Sequence, residues 1–304
     1  MIDGIIRRMD RLLIVGCGDV ALRAMPWLCQ RFRVYALVRR ADAAQTWRVA
    51  GAIPVQGDLD DSASVRRLAG LAETVLLCAP PADASVDDMR MKRLLAVLQR
   101  AVSRPRRIVY VSTSGVYGDC QGAWVSEARS VHPQSARAMR RVAAETRLRA
   151  FAIGQGCALR ILRAPGIYAA ERLGLARLTR GDPVLDRAED VFTNHIHADD
   201  LARAAGLALF RGGALRVFNV CDDSALPMGD YYDLMADLFG LPHPPRATRA
   251  ECLARLSPLT MSFMSESRRL DNTRIKRELR WLPCYAQVQD GLLAARKLCE
   301  QQGS

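Results

Sequence analysis

The chain has 304 residues, half of them hydrophobic and a quarter charged, an ordinary globular composition that excludes disordered, collagen-like and coiled-coil classes. No run of about 18 apolar residues is present, so no membrane-spanning helix is expected. Its 44 Lys/Arg against 32 Asp/Glu leave a net charge of +12, concentrated in residues 1–150 and carried almost entirely by arginine. Arg11–Val15 reads as a first strand. Met9 sits directly before it, so the first eight residues read as a misassigned start or a loose leader. Asp19–Arg31 reads as a helix that Pro26 kinks. Strands follow at Val34–Val38, Ala52–Val55, Thr74–Cys78 and Arg107–Val111, with helical stretches at 42–50, 61–71 and 85–102 between them. A long helix is expected at 134–152, a sixth strand at Cys157–Leu162, a strand near Val191–Ile196, a helix over Ala198–Phe210 and a strand at Val217–Val220. Helices at 228–239, 248–256, 271–279 and 285–300 complete the reading.

Strands alternating with helices of about 10–15 residues imply a parallel sheet with right-handed crossovers. The strands are continuously apolar, so both faces of that sheet are covered. The fold class is therefore α/β: a Rossmann-type doubly wound sheet over 9–165, with a smaller C-terminal α/β lobe over 166–304, partly interleaved with it. Nine cysteines lack any C-x-x-C pair and read as reduced small hydrophobes, and with four histidines no zinc spacing arises. The start carries no signal-peptide pattern, so the expected location is cytoplasmic.

Chemistry enters at Gly16-Cys17-Gly18-Asp19-Val20-Ala21. This Gly-x-Gly-x-x-Ala run ends a strand and opens a helix. Gly16 permits the tight turn, Gly18 lets a pyrophosphate approach the backbone, and Ala21 allows close helix–strand packing. The helix N-terminus adds N–H groups and positive dipole. A dinucleotide is the expected cofactor, its adenine near Asp58 and Leu59 and its crevice lined by Ala79 and Pro80. The second strand ends in Arg39-Arg40, where an acidic residue would bind the ribose of NAD. Two guanidiniums suit a 2′-phosphate, which favours NADP over NAD, although Asp42 lies close enough to reach the ribose.

Several further motifs occur in order: Gly57-Asp58-Leu59, Ser112-Thr113-Ser114-Gly115-Val116-Tyr117-Gly118, Leu162–Tyr168, Asn194–Ala202 and Asp271–Trp281. With the glycine loop, they make the chain resemble the atypical and extended short-chain dehydrogenase/reductases, the NAD-dependent epimerase/dehydratase group. The resemblance implies that Pro165, Gly166 and Ile167 border the cofactor and that the C-terminal third builds a substrate lobe. It also implies a Ser/Thr, Tyr and Lys as the catalytic set. Thr113 matches the hydroxyl position. Anchored on Glu145, the family's Tyr-x-x-x-Lys pattern falls on Arg137 and Arg141, so the usual pair is missing. Arg141 stands in the lysine's place and can bind ribose hydroxyls or phosphate. Arg137 cannot exchange a proton, because guanidinium stays protonated. Tyr117 is then the nearest substitute, with Tyr168, His195 and His197 as further candidates.

Two functions compete. One is an NAD(P)-dependent oxidoreductase or epimerase/dehydratase-like enzyme on a small polar substrate, sugar-derived or otherwise. The other is a non-catalytic dinucleotide-binding sensor or interaction protein. The basic half also fits weak nucleic-acid contact, but no recognition motif supports a specific one. No metal and no membrane partner are expected. The resemblance makes a homodimer one assembly the chain could take.

Overall fold

The computed structural model describes residues 9–82 and 87–302. The first eight residues and the first two of the helix expected from 85 lie outside the described residues. The chain divides into two compact units. The first comprises Met1–Ser112, Arg140–Leu162 and Ala202–Val217; the second comprises Thr113–Met139, Arg163–Leu201 and Phe218–Ser304.

A seven-stranded sheet frames the first unit. Its strands are β1 (Asp10–Val15), β2 (Phe32–Val38), β3 (Ile53–Gln56), β4 (Thr74–Leu77), β5 (Arg107–Thr113), β6 (Ala158–Ala164) and β7 (Leu215–Asn219). Their order is β7-β6-β5-β4-β1-β2-β3, and the pairs β1–β2, β1–β4, β2–β3 and β4–β5 run parallel. This is the Rossmann arrangement. Leu12 to Val15 and all of β4 are buried, as expected of strands covered on both faces. Leu13, Val75, Ile108 and Leu159 of the sheet pack with Leu94, Leu98, Leu148 and Phe151 into one core. Those last four come from the helices α3 (Met89–Gln99) and α4 (Ala136–Gln155).

The helix after β1, α1 (Asp19–Leu28), contains Pro26 and stops three residues earlier than the pattern suggests. The segment 61–71 differs more. It forms turns and one 3-10 turn at Arg66–Leu68 instead of a helix. Asp61 Oδ1 accepts from Ala63 N at 2.9 Å, and Ser64 Oγ donates to the carbonyl of Asp61 at 2.9 Å. These local side-chain bonds compete with the helical ladder, as short polar side chains do.

Among the described residues, the second unit contains the following two small cores. Val184, Val191, Met228, Cys252, Met261 and Met264 form one; Tyr168, Tyr231, Met235, Val288 and Leu292 form the other. A helix at Pro258–Phe263, absent from the sequence reading, starts with a Ser257 cap that accepts from Thr260 N at 3.2 Å and with Pro258 in its first turn. That Ser-Pro pair is a helix-start signal in its own right. Among the described residues no helix is long and apolar enough to cross a membrane.

Candidate functional site

The glycine loop links β1 to α1 within the first unit. Gly16 has φ +100°, and a Cβ there would lie 2.1 Å from Ala79 N and 2.5 Å from the Cys78 carbonyl carbon. Its lack of a side chain is demanded by the protein's own backbone. The carbonyl of Val15 accepts from both Cys78 N, at 2.7 Å, and Ala79 N, at 3.0 Å, so the ends of β1 and β4 are clasped together. Gly18 differs: among the described residues nothing lies within 4 Å of a Cβ placed on it. It is the N-cap of α1, and no side chain caps that helix. The space before Gly18 and the N–H groups behind it suit a phosphate arriving from outside. Asp19, in the first turn, is paired with Arg23 at 2.8 Å. Ala21 is buried, giving the close approach of helix and strand. Val20, the remaining loop position, is half-buried. Burial pushes the thiols of Cys17 and Cys78 up to about 12, so both stay protonated at neutral pH.

A narrow pocket at the ends of β1 and β4 has walls that include Val15, Leu59, Ala79, Pro80 and Met91. Arg90 bridges its rim, with Nε donating to Asp60 Oδ1 at 3.0 Å and Nη1 to the Pro80 carbonyl at 3.2 Å. Asp58 is held by Ser64, whose Oγ accepts from Asp58 N at 2.8 Å, and its own Oδ1 accepts from Asp60 N at 2.9 Å. The part played by Arg90 went unread in the sequence, because it depends on where α3 starts. Asp88 sets that start, its Oδ1 accepting from Met91 N at 3.0 Å.

At the end of β2, Arg39 and Arg40 are exposed. Asp42 caps the following helix, α2 (Ala43–Val49), by accepting from Ala43 N at 2.8 Å, and it also pairs with Arg40. The hydrogen bond from Arg40 holds the Asp42 carboxyl below its ordinary range.

Arg141 projects from α4. Its Nη1 donates to Tyr110 Oη at 2.9 Å, the Val111 carbonyl at 3.1 Å and the Ala79 carbonyl at 3.4 Å. One guanidinium thereby ties together the carboxyl ends of β4 and β5. Burial pushes Tyr110 up to about 12, against the pull of Arg141, so its hydroxyl stays protonated and can donate in turn. Buried Glu145 accepts from Ser112 Oγ at 2.7 Å.

The remaining candidates belong to the second unit. Thr113 is half-exposed, and its Oγ1 accepts from Gly115 N at 3.2 Å. Tyr117 is 1% exposed, and its hydroxyl donates to Asn219 Oδ1 at 2.8 Å. Asn219 Nδ2 in turn donates to the carbonyls of Val125 and Asp271. The Arg163 guanidinium lies 4.7 Å from the Tyr117 ring centre. Tyr117 therefore sits in a packed network rather than at an open surface. Arg137, at the family's tyrosine position, stacks on Phe263 with its guanidinium carbon 4.5 Å from the ring centre. Gly166 and Ile167 form a short strand with Tyr168 that pairs in parallel with His195–His197. Pro165, just before that strand, is half-buried.

Tyr168 is buried, and its hydroxyl has no hydrogen-bond partner among the described residues. His195 is 5% exposed and stacks on Tyr231 with ring centres 4.0 Å apart. Burial lowers its pKa from 6.5 to about 3, so the imidazole is neutral in the folded protein. In the unfolded chain it takes up a proton near pH 6.5. This group has no influence on stability above that pH. Stability should be lost as pH falls from 6.5 toward 3, by up to about 1.4 kcal/mol per pH unit. Urea unfolding of wild type and His195→Gln across pH 4–7 checks this. Wild type should lose stability more steeply on acidification, and parallel curves would refute it.

Residues 16–209 match the family described as NAD(P)H-binding. No curated protein matches the chain. Among solved structures, a conserved protein of unknown function from Silicibacter pomeroyi is 30% identical, with a TM-score of 0.79, 95% of this chain and 99% of the other being covered. The UDP-glucose 4-epimerase of Thermotoga maritima, determined with UDP-glucose, is 19% identical with a TM-score of 0.77 over 97% of this chain and all of its own. A UDP-glucuronic acid 4-epimerase from Bacillus cereus, bound to a fluorinated UDP-sugar and NAD, is 16% identical with a TM-score of 0.73 over 96% and 99% of the two chains. The fold is thus that of epimerase/dehydratase-type Rossmann proteins. With an open, uncapped helix N-terminus behind Gly18 and a family match that begins at Gly16, the chain belongs to the NAD(P)H-binding family.

Proposed function

We propose that the protein is an NADP-dependent oxidoreductase or epimerase/dehydratase-like enzyme acting on a small polar substrate. The observation that carries this reading is the empty space before Gly18 at the N-terminus of α1, with the narrow pocket of Leu59, Ala79 and Pro80 at the ends of β1 and β4. Gly16, Cys17, Gly18, Asp19 and Val20 would hold the pyrophosphate, and Asp58 with Leu59 the adenine. When bound, the cofactor supplies hydride acceptance and donation. Pro165, Gly166 and Ile167 are proposed as the border of the nicotinamide.

NADP is favoured over NAD by the use made of Asp42. Its carboxylate already serves as helix cap and partner of Arg40, which leaves it poorly placed to accept from a ribose hydroxyl. Arg39 is exposed and makes no hydrogen bond or ion pair among the described residues. A 2′-phosphate would satisfy it and share Arg40. Arg141 takes the lysine's place as a ribose-binding cation: Nη1 is committed to Tyr110 and two carbonyls, while Nε and Nη2 make no hydrogen bond among the described residues. Thr113, half-exposed, is the hydroxyl proposed to orient the substrate. Tyr117 supports this role through the loop it anchors, since its proton is engaged by Asn219.

The second reading, a dinucleotide-binding sensor, is favoured by Arg137 at the tyrosine position, held against Phe263. Calorimetric titration separates the levels. NADPH should bind clearly more tightly than NADH. Changing Arg39 and Arg40 together to alanine should weaken NADPH at least about tenfold while leaving NADH nearly unchanged, since charge-assisted contacts are worth ~1.5–3 kcal/mol. Equal losses would sink the 2′-phosphate assignment. Binding of NADPH without turnover across a panel of carbonyl and hydroxyl substrates would favour the sensor.

A further inference from the structure

Tyr110 lies in the middle of β5, between Val109 and Val111, and is fully buried in the core that packs on the central sheet. Phenylalanine would fill the same volume there. A buried hydroxyl is costly unless it finds a partner. The partner is Arg141 on α4, whose Nη1 donates to Tyr110 Oη at 2.9 Å. The guanidinium carbon also lies 5.5 Å from the tyrosine ring centre. The same Nη1 reaches the carbonyls of Val111, at 3.1 Å, and Ala79, at 3.4 Å, so the hydroxyl is the nearest of its acceptors.

Every one of these acceptors is neutral. Asp88 and Glu145 are buried carboxylates of the same unit, and both are used elsewhere. Asp88 Oδ1 caps α3 by accepting from Met91 N at 3.0 Å. Glu145 Oε1 accepts from Ser112 Oγ at 2.7 Å, and its Oε2 faces Arg149 Nη2 at 3.8 Å. Arg141 makes no ion pair among the described residues; it is fixed in direction without being neutralised. A guanidinium held only by dipoles keeps its pull on an anion or an electron-rich oxygen.

Strand order decides what that charge faces. The sheet runs β5-β4-β1-β2-β3 through its centre. With the pyrophosphate at the loop after β1 and the adenosine half over the ends of β2 and β3, the other half of a dinucleotide extends over β4 and β5. Arg141 ties those two strand ends together. We infer that Tyr110 is a positioning residue for the nicotinamide half of the cofactor: its hydroxyl aims Nε and Nη2 of Arg141 at the nicotinamide ribose and the phosphate beside it. The role rests on the proposed dinucleotide binding, and Tyr110 itself, fully buried, touches no ligand.

Tyr110→Phe deletes one oxygen and leaves the ring in place. Calorimetry on the full chain should show NADPH bound about tenfold more weakly, while adenosine 2′,5′-bisphosphate, which lacks the nicotinamide half, binds as it does to wild type. Arg141→Ala should weaken NADPH at least as much, and Tyr110→Phe should add nothing in that background. A merely structural tyrosine would disturb both ligands together and act independently of Arg141. Nitrogen-15 NMR of the arginine side chains gives a readout without ligand. The Nη resonances of Arg141, assigned by their loss in Arg141→Ala, should be resolved in wild type and averaged in Tyr110→Phe, because the hydroxyl hinders rotation of the guanidinium. Unchanged NADPH binding in Tyr110→Phe overturns the proposal. So do equal losses for both ligands, additivity with Arg141→Ala, or Arg141 resonances indifferent to the substitution. If wild type binds neither ligand, the dinucleotide reading falls and takes the cofactor role with it, while the NMR result still decides whether Tyr110 orients Arg141.

Discussion

Gly16→Ala should lower the thermal midpoint by about 10 °C or prevent folding, whereas Gly18→Val should leave the fold standing and abolish tight dinucleotide binding. At Gly16 the two penalties add. An L-residue at φ +100° is strained by about 1–2 kcal/mol, and overpacking a closed site costs ~1–3 kcal/mol more. The obstruction is backbone, Ala79 N at 2.1 Å, so no side chain can swing aside. Relief requires the Val15 carbonyl to release Cys78 N or Ala79 N, which parts β1 from β4. At Gly18 the φ is −104°, open to any residue, and the Cβ meets nothing among the described residues. Valine there costs only the weaker N-cap, about 1 kcal/mol or less. It would fill the space a pyrophosphate needs. Thermal unfolding and NADPH calorimetry on both variants check the pair. If Gly18→Val binds NADPH as wild type does, the phosphate assignment falls.

The second large effect concerns Asp200, in the helix Ala198–Ala208. It is fully buried. Its Oδ1 accepts from Cys284 N at 2.8 Å, its Oδ2 from Tyr285 N at 3.0 Å, and its carbonyl from Trp281 Nε1 at 3.1 Å. Trp281 is also fully buried. Asp200→Ala takes the buried acceptor from two part-buried N–H groups and should cost about 2–4 kcal/mol. Trp281→Ala removes the largest fully buried side chain and should cost a similar amount. Because both act on one turn, the double variant should lose clearly less than the sum of the two. Strict additivity in urea denaturation would show that the two contacts are independent. Asp199, its neighbour, is about half exposed and faces His197 Nδ1 at 3.5 Å, so Asp199→Ala should cost far less than Asp200→Ala, about 1 kcal/mol or less.

The strand–helix alternation, the parallel sheet and the glycine loop could be read from the residues alone. Each is a local pattern: a run of apolar residues, a helical period, or a turn that only glycine can make. That Arg39, Arg40 and Asp42 directly follow the second strand was legible for the same reason. Position in the tertiary structure decided the rest. The motif assigns the turn to Gly16 and the pyrophosphate approach to Gly18; only the packed backbone of Cys78 and Ala79 shows that a Cβ is excluded at the first and tolerated at the second. Tyr117 reads as an accessible hydroxyl after a strand, but Asn219, 102 residues away, engages it in a buried network. In 61–71 the apolar spacing suggests a helix, yet short polar side chains claim the backbone first. Asp199 and Asp200 are adjacent and chemically identical; which one is buried depends on the turn at 281–285 folding back onto it. Local propensity is written in neighbouring residues, whereas burial and hydrogen-bond partnership are properties of distant segments brought together.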